Sequence, residues 1–245
     1  DVIDESALRR GKDTANMLWG NDASVLVGDF LFARAFELMV EAGDIAVLGR
    51  LANASASITQ GEIKQLEITG TPDTSEEEYI EVISGKTAVL FAAAAAAGAS
   101  ISGAPEKQVA AMHDYGMQLG LAFQIMDDAM DYTVSSTKMG KNSGDDFFER
   151  KITLPFILAW QEGSSKERAF WSRTIGEGDF IDGDLKKAQN IIEKHHAIDQ
   201  SVKIAGGYAQ AAISALDPLR SRDEISLQLT GALTSTALFA ASRQN

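Results

Sequence analysis

Apolar residues recur at helical spacing along most of this chain. The strongest pattern covers residues 23–42 and ends near Gly43, and a second follows over residues 44–68. Because the first segment is apolar on more than one side, we expect a central helix there, with Asp29 as a buried and hydrogen-bonded carboxylate. No convincing alternation of apolar and polar residues predicts a β-strand. The pattern therefore predicts an all-α protein.

Turn and capping signals divide the remainder of the chain. A turn at residues 70–74 precedes Ser75, and Glu78 three residues later completes a capping-box pattern, so a helix is predicted to run to about Gly98. A long helix over residues 106–132 and a polar loop over residues 133–144 follow. Further helices are predicted near residues 155–161, 164–175, 184–195, 198–216 and 222–241. Together these segments predict a single-domain bundle of about ten or more helices around a central cavity.

An acidic cluster lies within the apolar pattern of the helix over residues 106–132. Asp127, Asp128 and Asp131 fall within about 100° of one another around a helix axis, with Gln124 one turn before them. Like charges on one face repel each other. The cluster is therefore either a solvated helix end or a site bridged by Mg²⁺, which prefers carboxylate and phosphate oxygens. Taken alone, the pattern is more typical of a solvated face.

Two further groups of residues are suited to phosphate binding. Lys86 and Thr87 end a Ser-Gly-Lys-Thr sequence that resembles the end of a P-loop, but Ile80 occupies the required glycine position and no strand precedes it. We therefore expect this pair to donate to phosphate from a helix. Near the start of the chain, Arg9 and Arg10 are either surface partners of nearby acids or bidentate ligands for phosphates.

The alanine run at residues 92–97 has two interpretations. Alanine favours helices and lets two helices pack closely. Small side chains at the same positions would also leave room for a long apolar ligand. If enlarging Ala93 or Ala96 left the length of a bound chain unchanged, the second interpretation would be wrong.

Composition narrows the classes of function. The net charge of −13 argues against a nucleic-acid partner. The chain has no cysteine, which excludes disulfides and suits a reducing compartment such as the cytoplasm. The longest apolar run, residues 88–97, is too short to span a bilayer.

Taken in order, these motifs resemble the trans-type polyprenyl diphosphate synthase family, and most closely its bacterial octaprenyl and decaprenyl members. The resemblance rests on the opening Asp1–Gly11 stretch (DVIDESALRRG), VGDF at residues 27–30, Lys86-Thr87, the FQIMDDAMD stretch at residues 123–131, Gly140-Lys141, and KITLP at residues 151–155. It implies an all-α fold and the condensation of isopentenyl diphosphate with an allylic diphosphate to a long-chain polyprenyl diphosphate.

The resemblance also implies roles for individual residues. Asp1 and Asp4 on one helix would face the acidic cluster on another, and about three Mg²⁺ ions would bind between them. The implied metal ligands are Asp1, Asp4, Asp127, Asp128 and Asp131; the implied substrate-binding residues are Arg9, Arg10, Lys86, Thr87, Gln124, Lys141 and Lys151; and Lys86, Thr87 and Gln124 would also serve catalysis. A homodimer is implied as well.

Two departures from the family pattern bear on this interpretation. The first aspartate-rich motif lacks its leading residue before Asp1, so we expect that an N-terminal part of the domain precedes this sequence. Arg150 stands where the family often has glycine, so we expect this loop to sit differently from the family pattern. The alternatives are a synthase of shorter products (geranylgeranyl or farnesyl diphosphate), a cyclase with the same fold, and a non-catalytic partner subunit of a heteromeric synthase.

Overall fold

The computed structural model describes residues 8–9, 12–133, 144–220 and 224–242. Within these ranges, two short strands are followed by eleven α-helices. They are β1 (Leu8–Arg9), β2 (Lys12–Asp13), α1 (Ala15–Glu41), α2 (Ile45–Ile68), α3 (Glu76–Ile83), α4 (Val89–Ile101), α5 (Glu106–Asp131), α6 (Asp145–Phe148), α7 (Leu154–Gln161), α8 (Ser165–Trp171), α9 (Asp184–Lys194), α10 (Ala197–Ala215) and α11 (Glu224–Ser242). The two strands, each two residues long, pair in antiparallel fashion, and the sequence pattern did not predict them. The all-α class is confirmed.

Local signals in the sequence determine where several helices begin. The Asp44 side chain accepts hydrogen bonds from the backbone N–H groups of Ala46 and Val47 at the start of α2. The predicted capping box at the start of α3 is confirmed, because Ser75 and Glu78 each accept a hydrogen bond from the other's backbone N–H. These bonds satisfy amide groups that a helix leaves without intrahelical partners.

A π-helical turn, Ser84–Ala88, joins α3 to α4 without a break in the helix. It contains both Lys86 and Thr87, so the expectation that this pair lies on a helix is confirmed. Such turns insert one residue into a helix and often occur at functional sites.

Helix α5 lies at the centre of the bundle, between α4 and α10. Its contact with α4 is unusually close. A Cβ atom added at Gly116 would lie 2.4 Å from the carbonyl oxygen of Phe91, and one added at Gly120 would lie 2.5 Å from the Cα of Ala88. Ala92 is completely buried at this contact. Close helix packing, the first interpretation of the alanine run, therefore describes Ala92, and the tunnel interpretation stays a prediction.

The aromatic core belongs to the main apolar cluster, which also contains residues from the C-terminal half of α5. Phe147, Phe156 and Trp171 are fully buried and pack in edge-to-face contacts. A smaller apolar cluster joins α5 to α10 and α11 and includes Tyr115 and Leu216. The smaller cluster contacts α5 through Tyr115 and Leu119, and the main cluster contacts it from Leu121 onward, so the two hold neighbouring stretches of the helix.

The expectation of a central, buried helix at residues 23–42 was wrong. Helix α1 has no buried residue, and Leu26 and Phe30 are each 67% exposed. Asp29 is also exposed rather than buried. An apolar pattern shows that a helix has apolar surface to bury, but not where that surface is buried. Within the described residues, α1 packs mainly against α2.

The continuous helical segment Glu76–Ile101 is long and apolar enough to cross a membrane by length and composition alone. It is longer than the apolar run read from the sequence, because the helix extends beyond the alanines on both sides. Ala88, Ala92 and Ala96 within it are completely buried, and α4 packs along α5. These contacts are typical of a core helix.

Candidate functional site

A chain of side-chain hydrogen bonds joins the Lys-Thr pair to the acidic cluster. The Thr87 hydroxyl donates to Gln124 Oε1 at 2.9 Å, and Gln124 Nε2 donates to Asp128 Oδ1 at 2.8 Å. The Tyr79 hydroxyl donates to the other oxygen, Asp128 Oδ2, at 2.7 Å. Both groups that the sequence singled out at these positions therefore meet between the α3–α4 segment and α5.

The three aspartates of the cluster have different environments. Asp128 is 6% exposed, whereas Asp127 and Asp131 are half-buried. Burial, together with the negative charges of Asp146 and Asp127, raises the pKa of Asp128 to about 7, against the lowering effect of its two donors. Asp128 is therefore not at a solvated helix end, whereas Asp127 and Asp131 keep part of their surface exposed.

A second set of contacts joins the cluster to the segment that carries Lys151. The backbone N–H of Asp146 donates to Asp131 Oδ2 at 3.1 Å, and that of Gly144 donates to the Asp131 carbonyl at 3.1 Å. The Lys151 ammonium lies 3.8 Å from Asp146 Oδ1 and also contacts the Glu149 carboxylate. These bonds place the Lys151 amine near the C-terminal end of α5.

Lys86 is directed towards α2. Its ammonium lies 3.1 Å from Gln65 Oε1 and 3.1 Å from Glu62 Oε2. The two helical segments approach closely here, because a Cβ added at Gly61 would lie 2.4 Å from the backbone nitrogen of Lys86. Because Gly61 has no side chain, the π-helical turn can pack directly against α2.

A cleft of about 510 Å³ opens on α2 beside this contact. It is lined by Ser57, Gln60, Gly61, Ile63, Lys64, Glu67, Glu81, Ser84, Gly85, Val89 and Met117. Residues 92–97 do not line it, so this cleft is not the tunnel predicted beside the alanines.

Several predicted site residues lie outside the described part of the chain. These are Asp1, Asp4, Arg10 and Lys141, and of Arg9 only the backbone in β1 is described. The predicted facing of the two acidic motifs therefore stays a prediction. Among the described residues, no three acidic or histidine side chains converge into a complete metal site. Mg²⁺ usually binds through one or two carboxylates plus phosphates, so it does not require one.

Arg150 adopts the backbone conformation that glycine takes most easily. Its φ is 57°, in the left-handed region. Its Nε donates to the carbonyl of Ile175 at 2.7 Å, and Nη2 donates to the carbonyl of Gly176. Arg150 thus has a glycine-type backbone conformation, and its side chain ties the loop to the C-terminal end of the π-helical turn Ser172–Gly176.

Replacing Arg150 should separate the cost of its left-handed backbone conformation from the stabilisation that its guanidinium hydrogen bonds provide. Arg150→Ala loses the guanidinium bonds and keeps the unfavourable φ, so the free energy of unfolding should fall by about 3 kcal/mol. Arg150→Gly loses the same bonds without the steric conflict and should be about 1 kcal/mol more stable than the alanine variant. Urea unfolding followed by circular dichroism measures both. Equal stability of the two variants would contradict the argument.

Three residues of this site were not assigned to it from the sequence. Tyr79 lies in an apolar stretch and looks like a core residue, so no sequence signal distinguished it. Asp146 belongs to an acidic pair shortly before Lys151, which was a usable signal. Gln65 shares a helical face with Glu62, but no sequence signal linked either residue to Lys86 on another element.

The family follows from comparison with known proteins. A model of the polyprenyl synthetase family matches residues 1–192, and the chain belongs to this family. The chain is similar to an octaprenyl diphosphate synthase of Haemophilus influenzae, with 40% identity over 219 residues that make up 89% of this chain and 66% of that protein. The chain therefore spans just under two thirds of the length of this relative.

Solved structures show the same architecture. A decaprenyl diphosphate synthase from Rhodobacter capsulatus superposes with a TM-score of 0.91 and 47% identity, covering 100% of this chain and 74% of that one. A polyprenyl synthase from Caulobacter crescentus, complexed with calcium and isoprenyl diphosphate, gives a TM-score of 0.94 and 44% identity, covering 100% and 73%.

Proposed function

We propose that the protein containing this chain is a trans-prenyltransferase that condenses isopentenyl diphosphate with an allylic diphosphate within a single isoprenoid synthase domain. The observation that carries the proposal is the hydrogen-bonded chain from Thr87 through Gln124 to Asp128. This chain of bonds joins the Lys-Thr pair to the acidic cluster in a member of the polyprenyl synthetase family, and it supports one shared site for phosphate and cation binding.

The donors at this site fit magnesium. Carboxylate oxygens of Asp127, Asp128 and Asp131 are hard ligands. The pKa of Asp128 is raised first by burial and then by the negative charges of Asp146 and Asp127, and a bound cation would offset those charges. With Asp1 and Asp4, they would hold about three Mg²⁺ ions. When bound, these ions would supply charge neutralisation to the leaving diphosphate. The calcium and isoprenyl diphosphate in the Caulobacter crescentus relative support this assignment.

The basic and polar residues would bind the substrates. Arg9, Lys86, Lys141 and Lys151 would hold the allylic diphosphate, and Arg10 would hold isopentenyl diphosphate. Thr87 would donate to phosphate, and Gln124 would shape the pocket between Thr87 and Asp128. An arginine pair and two lysine segments provide for two diphosphates, which favours a synthase over a cyclase.

The reaction needs a dry environment. The allylic carbon–oxygen bond breaks with its electron pair on the diphosphate, the double bond of isopentenyl diphosphate attacks the resulting cation, and the departing diphosphate takes the proton. Water would quench the cation. Ile125 and Met126 are buried beside the aspartates and would keep water from that side.

We also propose a long-chain product. The two relatives with octaprenyl and decaprenyl names share 40% and 47% identity with this chain. Small side chains such as Ala93 would leave space for a growing apolar chain beyond the metals. A geranylgeranyl or farnesyl product is the alternative.

A homodimer in the cytoplasm is proposed as the working form. The exposed apolar side chains of α1, with Leu26 and Phe30 both 67% exposed, provide a surface for a second copy. Burial of such a surface on association is favourable.

The test is product formation by the full-length protein alone. Labelled isopentenyl diphosphate, farnesyl diphosphate and Mg²⁺ should give a labelled chain of about eight to ten prenyl units by chromatography, as the long-chain proposal requires. Light scattering of the same preparation should give the mass of two chains.

Each other outcome selects an alternative. A shorter labelled product would favour a short-chain synthase. An unlabelled cyclic product would show a cyclase. Activity only after a second protein is added would show a partner subunit.

A further inference from the structure

Tyr79 is a buried residue that the sequence did not connect with the site. It lies on α3, whose start is fixed by the capping box of Ser75 and Glu78, and its side chain is 1% exposed within the main apolar core. Its ring is thus held by packing. Only the hydroxyl leaves the apolar environment, and it points to Asp128 Oδ2 at 2.7 Å.

Asp128 needs such a donor. A buried carboxylate is costly unless hydrogen bonds replace its hydration, and here the negative charges of Asp146 and Asp127 add to that cost. Gln124 supplies one donor to Oδ1, and Tyr79 supplies the other to Oδ2. Together the two donors fix both oxygens and therefore the rotation of the carboxylate plane.

We propose that Tyr79 is a positioning residue that holds the Asp128 carboxylate in the orientation needed for cation and diphosphate binding. The proposal rests on the proposed function of the site. Without the hydroxyl, Asp128 Oδ2 loses its donor, the carboxylate rotates, and its bond to Gln124 and the following bond to Thr87 loosen. Groups that orient metal-site carboxylates typically contribute a factor of about 10 to 100 in metal affinity.

The test is Tyr79→Phe, with Tyr115→Phe as a matched control. Tyr115 is also buried, lies on α5, and donates one hydrogen bond at 2.9 Å, but to the backbone carbonyl of Leu233. Each variant loses one buried hydroxyl and keeps its ring, so the Tm of both full-length proteins should fall by a few degrees, and by more in Tyr79→Phe because its partner is a buried carboxylate. A merely structural role of Tyr79 predicts no further difference between them.

The decisive measurement is the Mg²⁺ dependence of Tm in the presence of inorganic diphosphate. The Mg²⁺ concentration at half-maximal stabilisation should rise about tenfold in Tyr79→Phe and stay at the wild-type value in Tyr115→Phe. Equal midpoints in all three proteins would overturn the proposal. So would a wild-type protein that gains no stability from Mg²⁺ and diphosphate.

This readout does not depend on turnover. If the Mg²⁺ midpoint shifts tenfold in Tyr79→Phe but the wild-type protein makes no prenyl product, the role of Tyr79 is supported and the proposed activity is refuted. If the wild-type protein makes product but Tyr79→Phe keeps the wild-type Mg²⁺ midpoint, the proposed activity is supported and the role of Tyr79 is refuted.

Discussion

Asp127→Ala in the full-length protein should reduce prenyl transfer by about 10³-fold or more, because it removes a carboxylate from the set that would neutralise the leaving diphosphate. The fold should be retained. Alanine has the highest helix propensity, and removing Asp127 also removes a negative charge that acts on the buried Asp128. Turnover of labelled isopentenyl diphosphate measures the first effect and circular dichroism the second.

Asp114→Ala is the matched control for this experiment. Asp114 lies on the same helix, α5, where it is exposed and adjacent to His113. It should keep wild-type turnover, since it lies more than three turns from Asp127. Near-normal turnover of Asp127→Ala, or an equal loss in both variants, would contradict the assignment of the acidic cluster.

Gly116→Ala should destabilise the protein although alanine is the better helix former. The added Cβ would lie 2.4 Å from the carbonyl oxygen of Phe91 and 2.7 Å from the Cα of Ala92. Both are backbone atoms, so no side-chain rotation relieves the contact and α4 must move away from α5. Overpacking of this kind costs about 2–3 kcal/mol in the free energy of unfolding.

The same substitution at Gly98 provides the control. Gly98 lies on α4, is exposed, and has no atom within 4 Å of an added Cβ. Gly98→Ala should therefore raise the free energy of unfolding by about 0.5–1 kcal/mol through helix propensity alone. Guanidinium unfolding of both variants measures the difference. A Gly116→Ala protein as stable as Gly98→Ala would refute the close packing of α4 and α5.

Most helix positions were predictable because they depend on local chemistry, although α1 begins at Ala15, eight residues before the predicted segment, and the short helix α6 was not predicted. The capping box at Ser75 and the glycine at the end of α1 fixed helix ends to within a residue or two. The environment of α1 was not predictable in the same way. An apolar pattern reports how much surface a helix must cover, and it says nothing about which surface covers it.

The candidate site was predictable where residue types carry the chemistry. Thr87, Gln124 and Asp128 were named from motif, spacing and family resemblance, and the helices bring them into one hydrogen-bonded chain. Lys86 was named in the same way but is directed towards α2. The different burial of the three aspartates within the cluster was not predictable. Spacing places Asp127, Asp128 and Asp131 on one face, whereas their unequal burial depends on what packs against α5.

The π-helical turn Ser84–Ala88 sets the angular phase between the two ends of its helix. In a regular α-helix, the eight-residue step from Tyr79 to Thr87 would rotate the second side chain by about 80° relative to the first. The extra residue of the turn subtracts about 100°, which brings the two side chains nearly into line on the Gln124–Asp128 face. The winding of this turn therefore matters as well as its composition. If the same five residues followed a regular α-helix, the side chains of Tyr79 and Thr87 would point about 80° apart, and one of the two hydroxyls would turn away from the acidic helix.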